Sequence, residues 1–109
     1  MTLLILSCFI AGLPYRNPNL FDVALKDEVK LKPDPTNQYD PSAIEVWHKD
    51  QMLGFVPREI TPVIHGVLIE GLPLRAWIEE MPMIKWKEII IQAEVEIEES
   101  ADHYSSLPS

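Results

Sequence analysis

The fold is indicated first by a predicted hairpin, Ala43-Ile44-Glu45-Val46-Trp47-His48-Lys49-Asp50-Gln51-Met52-Leu53-Gly54-Phe55-Val56. Two short runs rich in apolar and β-branched residues flank a polar centre, which is typical of paired antiparallel strands. The sequence predicts strands over residues 43–48 and 52–56, with a tight reversal at Asp50-Gln51. A loop crowded with Pro, Asn and Asp, residues 34–42, precedes them.

Four further strands are predicted around this hairpin. Residues 2–11 form an apolar run, Glu28 to Lys32 alternates charged and apolar residues, and a further strand is predicted over residues 74–81. Between residues 88 and 98, apolar side chains at the odd positions alternate with mostly acidic ones. That period of two predicts a strand with one buried and one solvated face. A polar connection or short helical turn is predicted near residues 17–23.

One short amphipathic helix is predicted after the hairpin. Thr61 is a candidate cap, Pro62 suits the first helical position, and Gly71 suits the end of a helix. Between them, apolar residues recur at helical spacing: Val63, Ile64, Val67 and Leu68.

Chain length and composition favour one small β-rich domain. The chain has 109 residues, ten prolines and only four glycines, with 47% hydrophobic residues. Six strands and one or two short helices fit a small, partly closed barrel, because closure removes exposed sheet edges. An α+β open sheet is the alternative. We expect a domain over residues 1–98 and an acidic, polar, disordered tail over residues 99–109.

The negative charge is concentrated near the carboxyl terminus. The net charge is −8, from seventeen acidic and nine basic residues. Six of those acids lie between residues 88 and 102, where no Lys or Arg occurs, so residues 1–87 carry eleven acids and nine bases, a balance of −2. Binding to long polyanions is disfavoured, yet Arg16, Lys30, Lys32 or Arg58 can still bind an anion locally.

Cysteine content and the first residues favour the cytoplasm. A lone Cys8 excludes an internal disulfide, which favours a reducing compartment. The apolar run at residues 2–10 lacks the preceding Lys or Arg of a signal peptide and is too short to span a bilayer. We therefore expect no membrane association.

No catalytic, metal or cofactor motif is found. The three histidines are scattered without ligand spacing, and neither a phosphate-binding glycine loop nor a nucleophile elbow occurs. Cys8 in an apolar strand is expected to be a small buried hydrophobe. Core packing is the expected role of three tryptophans, Trp47, Trp77 and Trp86. The sequence predicts a binding protein and not an enzyme.

Tyr39 and Asp40 lie where periodicity gives no reason for a large ring. Asp40 in such a loop can simply close an Asx turn or cap the next element. Recognition is the other interpretation, because an aromatic ring stacks on any nucleobase. A carboxylate can also accept a hydrogen bond from a terminal sugar hydroxyl, which an internal phosphodiester lacks.

Four segments together resemble the HIRAN domain: Gly12-Leu13-Pro14-Tyr15, Val29-Lys30-Leu31, Pro35-Thr36-Asn37-Gln38-Tyr39-Asp40-Pro41-Ser42-Ala43-Ile44-Glu45-Val46, and Leu53-Gly54-Phe55-Val56-Pro57-Arg58-Glu59. The resemblance runs from about Leu3 to Glu96. It implies a fold like that of oligonucleotide-binding (OB) barrels. It also implies capture of the 3′ hydroxyl end of single-stranded DNA, in a family often fused to helicases or nucleases.

The resemblance also implies site residues. Tyr15 and Tyr39 would sandwich the terminal bases, Asp40 would accept from the 3′ hydroxyl, and Arg58 would lie near a phosphate, with Lys32 a weaker candidate. Two positions depart from the DNA-binding pattern: Pro14 replaces an arginine and Phe55 replaces a histidine. Both changes remove polar or cationic contacts.

Two functions follow as hypotheses. The first is a module for single-stranded DNA ends, serving DNA repair or replication-fork processing together with a helicase or nuclease partner. The alternative is a protein-interaction or self-association domain, a homo-oligomer among them, which uses the same loop surface or the acidic last strand.

Overall fold

The computed structural model describes residues 2–11, 23–80 and 89–96. In these ranges six strands and one helix follow in the order β1 (Thr2–Phe9), β2 (Glu28–Pro33), β3 (Ile44–His48), β4 (Gln51–Phe55), α1 (Thr61–Ile69), β5 (Leu74–Glu80) and β6 (Ile90–Glu96). The strands form one antiparallel sheet in the order β1-β6-β5-β2-β3-β4. The connection predicted near residue 17 and the predicted tail lie outside the described residues.

Strand β2 divides its pairing between two neighbours. Glu28 and Val29 pair with β5, whereas Lys30 to Pro33 pair with β3. Three ladders also contain register shifts, between β1 and β6, between β3 and β4, and between β5 and β6. Such irregularities increase strand twist and bend a sheet. The sheet therefore curves round its core.

The curvature brings the two outer strands together at one point. Ala11, just beyond β1, and Phe55, the last residue of β4, exchange both backbone hydrogen bonds at 2.8 Å. Within residues 2–11, 23–80 and 89–96, a single bridge thus joins the outer strands, where a closed barrel has a full ladder. The prediction of a mainly β, OB-like, partly closed barrel of six strands is confirmed.

Gly54 makes this junction possible. A Cβ atom at this position would lie 2.3 Å from the Ala11 carbonyl oxygen and 2.7 Å from Cγ2 of Ile10. Both distances are shorter than any van der Waals contact, so only glycine permits the backbones to approach this closely.

The core forms on the concave side of the sheet, as the strand alternation predicts. In β6 the residues Ile91, Ala93 and Val95 are buried at every second position. Ile44 and Ile78 are also fully buried. Cys8 is buried among them, and burial raises the pKa of its thiol to about 11, so it packs as a small hydrophobe.

Helix α1 begins one residue earlier than a Thr61 cap requires. Ile60 occupies the N-cap position without a side-chain hydrogen bond, and Pro62 lies in the first turn. Thr61 is buried, and its hydroxyl donates to the Arg58 carbonyl at 3.0 Å. The prediction of Thr61 as the cap was wrong, because its hydroxyl fastens the preceding turn instead.

The end of α1 matches the prediction from Gly71. This glycine has a φ of +70°, its N–H donates to the Leu68 carbonyl at 3.1 Å, and the Leu72 N–H donates to the Val67 carbonyl at 3.3 Å. These two bonds form the Schellman ending of a helix. The predicted apolar face is wrong in part, because Val63 and Leu68 are exposed. No helix in the described ranges is long and apolar enough to cross a membrane.

Two tryptophans lie outside the core. Trp47 and Trp77 are half-buried, and their indole N–H groups donate to Glu45 at 2.8 Å and Glu79 at 2.6 Å. Each glutamate is two residues away on the same strand and so shares its face. Core packing was therefore wrong for these two tryptophans, while Trp86 lies outside the described residues.

The hairpin reversal lies one residue earlier than predicted. Gln51 already belongs to β4 and pairs with His48, so the reversal is at Lys49-Asp50. Lys49 adopts a φ of +52°, in the left-handed region that tight reversals use.

Candidate nucleic-acid interface

A cavity of about 450 Å³ opens where the loop between β2 and β3 meets the end of β4. Its lining joins loop residues to the turn that leads into α1. The lining residues are Asn37, Tyr39, Asp40, Ala43, Phe55, Val56 and Arg58. The fold thereby brings together three of the residues singled out in the sequence, Tyr39, Asp40 and Arg58.

Asn37 gives the loop its shape. Its side-chain Oδ1 accepts the backbone N–H groups of Tyr39 at 2.9 Å and Asp40 at 3.0 Å. Its Nδ2 donates to Asp34 at 3.2 Å. An asparagine that satisfies the backbone two and three residues ahead forms an Asx turn. One side chain therefore sets the position of both Tyr39 and Asp40.

The two oxygens of the Asp40 carboxylate contact different partners. Oδ1 accepts the Ser42 hydroxyl at 2.6 Å and the Ser42 N–H at 3.0 Å. Oδ2 lies 3.4 Å from Nε of Arg58. These contacts, the Ser42 hydroxyl first and the Ser42 N–H next, hold the pKa of Asp40 below its usual range. Asp40 is thus ionised at neutral pH and directs Oδ2 toward the guanidinium.

Two further contacts fix the loop to the barrel. The Asp34 N–H donates to the Ala43 carbonyl at 2.9 Å, which closes the base of the loop. Nε2 of His65, on α1, lies 2.8 Å from the Ser42 carbonyl oxygen. A carbonyl only accepts, so this ring nitrogen is the donor. The loop is therefore held from the strands and from the helix.

The cavity combines apolar and charged surfaces. Ala43 and Val56 are buried behind it, while Tyr39 presents its side chain with 92% of its surface exposed. The side chain of Arg58 is 77% exposed and that of Asp40 is 23% exposed. Such a surface suits a ligand with a planar ring, a hydroxyl to donate to Asp40 and an anionic group for Arg58.

Lys32 and Tyr15 are the other two predicted site residues. Lys32 does not line this cavity, because its Nζ lies 4.5 Å above the centre of the Trp47 ring on the neighbouring sheet surface. Tyr15, like Pro14, lies outside the described residues. The chain leaves the first described range at Ala11, which is bonded to the cavity residue Phe55.

Sequence reasoning missed the residues that hold the site in place. Asn37 and Ser42 carry a readable signal, since Asn and Ser near Asp in a proline-rich loop form Asx and Ser turns. His65 carried no such signal, because its partner Ser42 is 23 residues away in the chain. Phe55 was noted only as a departure from the family pattern, yet it lines the cavity.

A second polar pair lies away from the cavity. His48 is 2% exposed, and its Nε2 lies 2.8 Å from Oδ2 of Asp27. The hydrogen bond to His48 is the main reason why the pKa of Asp27 is lowered. In the described ranges no group of three or more His, Cys, Asp or Glu side chains is placed to hold a metal ion. The pair satisfies a buried ring and is a structural contact.

Comparison with known proteins identifies the family. The sequence model of the HIRAN domain family matches residues 4–72. The crystal structure of the HIRAN domain of human HLTF superposes with a TM-score of 0.70 at 18% identity, over 86% of this chain and 78% of that one. A crystal structure of a protein from Lactobacillus plantarum gives a TM-score of 0.75 at 19% identity, over 87% and 95%. Comparison with curated proteins gives no match. The family match covers more than half of the sequence, so the chain belongs to the HIRAN domain family.

Proposed function

We propose that this protein is a binding module for single-stranded DNA that captures the 3′ hydroxyl end. Membership of the HIRAN family supports binding of nucleic acid. The observation that carries the finer proposal is the cavity that unites Tyr39, Asp40 and Arg58 on one surface.

Each of these side chains has a proposed role that its surroundings suit. The exposed ring of Tyr39 stacks on the terminal base, because its position is fixed by Asn37 while its faces are open to solvent. Oδ2 of Asp40 accepts the hydrogen bond of the 3′ hydroxyl. Arg58 contacts the terminal phosphodiester.

Selection of an end follows from the carboxylate. An internal nucleotide presents a phosphodiester oxygen where the end presents a hydroxyl, and that oxygen has no proton to donate. A 3′ phosphate is worse still, because its negative charge would face ionised Asp40. Asp40 therefore rejects both and accepts only a free hydroxyl.

Tyr15 and Lys32 enter this proposal through the family resemblance. Tyr15 would sandwich the terminal bases together with Tyr39, and it follows Ala11 by four residues in the chain. Lys32, the weaker candidate, would meet a phosphate only on a strand long enough to extend beyond the cavity, because it lies over Trp47 on the neighbouring sheet surface.

The biological setting is also a proposal. Residues 1–98 would be the binding unit, acting in the cytoplasm in DNA repair or fork processing. A helicase or nuclease partner, which the family resemblance suggests, would supply the remodelling or cleavage.

The test is fluorescence anisotropy with short labelled oligonucleotides that end in a 3′ hydroxyl, a 3′ phosphate or a dideoxy nucleotide. The hydroxyl end should bind most tightly. Asp40→Asn should weaken binding of that end by about 1.5–3 kcal/mol, the range for a charge-assisted hydrogen bond. The same change should improve binding of the phosphate end, because it removes a repelling charge.

Asp50→Asn is the matched control, since it removes the same charge from an exposed turn outside the cavity. It should leave all three affinities unchanged. Equal affinities of wild-type protein for the hydroxyl and phosphate ends would refute the role of Asp40. Absence of any oligonucleotide binding at low salt would favour the protein-interaction alternative, which recovery of one stoichiometric partner protein would then support.

A further inference from the structure

The cavity contains more aromatic surface than cationic charge. Among its lining residues in the described ranges, two are aromatic, Tyr39 and Phe55, and one is a cation, Arg58. Arg58 is already partly neutralised by Asp40, whose Oδ2 lies 3.4 Å from its Nε. Electrostatic attraction for phosphates is therefore small at this site, in a chain whose net charge is −8.

The backbone of Phe55 is fixed by hydrogen bonds at the edge of the cavity. Its backbone exchanges two hydrogen bonds of 2.8 Å with Ala11, and the preceding Gly54 packs directly on the Ala11 carbonyl. The following residue, Val56, is buried, and its N–H donates to the Ile44 carbonyl at 2.9 Å. Because the backbone is already fixed, binding a ligand here would have to order only the two side-chain torsions of Phe55.

We propose that Phe55 is a third aromatic contact for the terminal nucleotide, packing beside the bases that Tyr39 and Tyr15 sandwich, and that the end is held mainly by aromatic contacts, with Arg58 making one phosphate contact. This inference rests on the proposed function and defines its ligand class. The ligand is a short single-stranded end, for which the lining in the described ranges provides one cation, Arg58, and therefore one phosphate contact.

The salt dependence of the affinity tests this inference quantitatively. Each phosphate contact to a single strand contributes a slope of about −0.7 to the plot of log affinity against log salt. One contact therefore predicts only about a threefold loss of affinity between about 50 and 200 mM salt. Three contacts would give roughly twentyfold over the same range.

The experiment measures anisotropy of a short labelled oligonucleotide with a 3′ hydroxyl at both salt concentrations. Phe55→Leu keeps an apolar side chain without a ring and should weaken binding by about fivefold or more at both salts, since the additional aromatic contact is lost. Phe55→Trp should retain or improve binding. Phe55→His should make the salt dependence steeper below about pH 6.5, where the imidazolium adds a cation.

Ile69→Ala is the matched control, because Ile69 is 83% exposed at the end of α1 and does not line the cavity. It should change neither affinity nor salt slope. Thermal melting of each variant separates lost binding from lost folding.

Two results would overturn the inference while leaving the proposed function in place. One is an unchanged affinity of Phe55→Leu for the hydroxyl end. The other is a fall in wild-type affinity of about twentyfold or more between the two salts, which requires several phosphate contacts. In either case the hydroxyl end would still bind better than the dideoxy end. Loss of that preference as well would instead refute end capture by Asp40, and the inference with it.

Discussion

The loop between β2 and β3 and the outer surface of the sheet both place an aromatic residue beside an acid, with opposite results. On the sheet, the acids Glu45 and Glu79 accept the indole N–H groups of Trp47 and Trp77 and hold those rings against the strands. In the loop, Asp40 is held by Ser42 and Arg58, and the ring of Tyr39 is left exposed.

The difference lies in the backbone. On a strand, residues two apart share a face, so a glutamate two positions from a tryptophan meets its ring. In the loop, Asn37 binds the backbone of two successive residues and turns the Tyr39 and Asp40 side chains into separate environments. On a strand, an aromatic residue beside an acid therefore forms a structural hydrogen bond with it. In this turn, the acid has other partners and the aromatic ring remains exposed.

The largest expected effects distinguish Tyr39, which should matter for binding, from Trp47, which should matter for stability. Tyr39→Ala should weaken binding of a 3′ hydroxyl end by about 1–3 kcal/mol, the value of one stacked base, while leaving the melting temperature nearly unchanged. Trp47→Ala should do the reverse, lowering the unfolding free energy by about 1–3 kcal/mol and leaving affinity nearly unchanged. Anisotropy and chemical denaturation measure the two quantities. A Trp47 variant that folds normally but binds weakly would contradict the distinction.

A smaller effect is expected from Asn37, which positions the site without touching the proposed stacking or hydroxyl contacts. Asn37→Ala removes the acceptor of two backbone N–H groups and should weaken binding by about 1 kcal/mol, roughly fivefold. Gln38→Ala is the matched control, because Gln38 is exposed and does not line the cavity. If both variants bind like wild type, the loop holds its shape without Asn37. Asn37 would then not explain the separate positions of the Tyr39 and Asp40 side chains.

The smallest expected effect is that of pH, because the affinity for the hydroxyl end should stay constant over a wide pH range. The Ser42 hydroxyl, the Ser42 N–H and Arg58 lower the pKa of Asp40 in the folded protein, so the carboxylate remains the acceptor well below neutral pH. Affinity for the hydroxyl end should be flat between about pH 8 and pH 5 and fall only as the pH drops through the lowered value. The same sign holds for stability: the contribution is present above the ordinary carboxyl pKa and is lost below the lowered one. Affinity that already declines between pH 7 and pH 5 would show that Asp40 is not held in this way.

Much of the fold was readable because each signal is local. The alternation that includes Ile91, Ala93 and Val95 predicts a buried face whichever strands pair with β6. Gly71 predicts a helix end because few residues other than glycine adopt its positive φ. The errors arose where contacts between distant residues or a polar partner decide burial. Trp47 and Trp77 read as core residues, yet glutamates on their own strands keep them outside it.

The sequence by itself determined the mainly β class, the positions of the strands, and the pairing of Tyr39 with Asp40 in a turn-forming loop, because propensity and period act over a few residues. The family resemblance already assigned Arg58 to the same site, but only the tertiary structure decided that Arg58 and Phe55 line one cavity with these two residues. That meeting depends on the bridge from Ala11 to Phe55 and on the approach that Gly54 permits. It depends also on the bond from His65 to the Ser42 carbonyl. These contacts join residues from 23 to more than 40 positions apart, a separation over which no local pattern in a single sequence carries information.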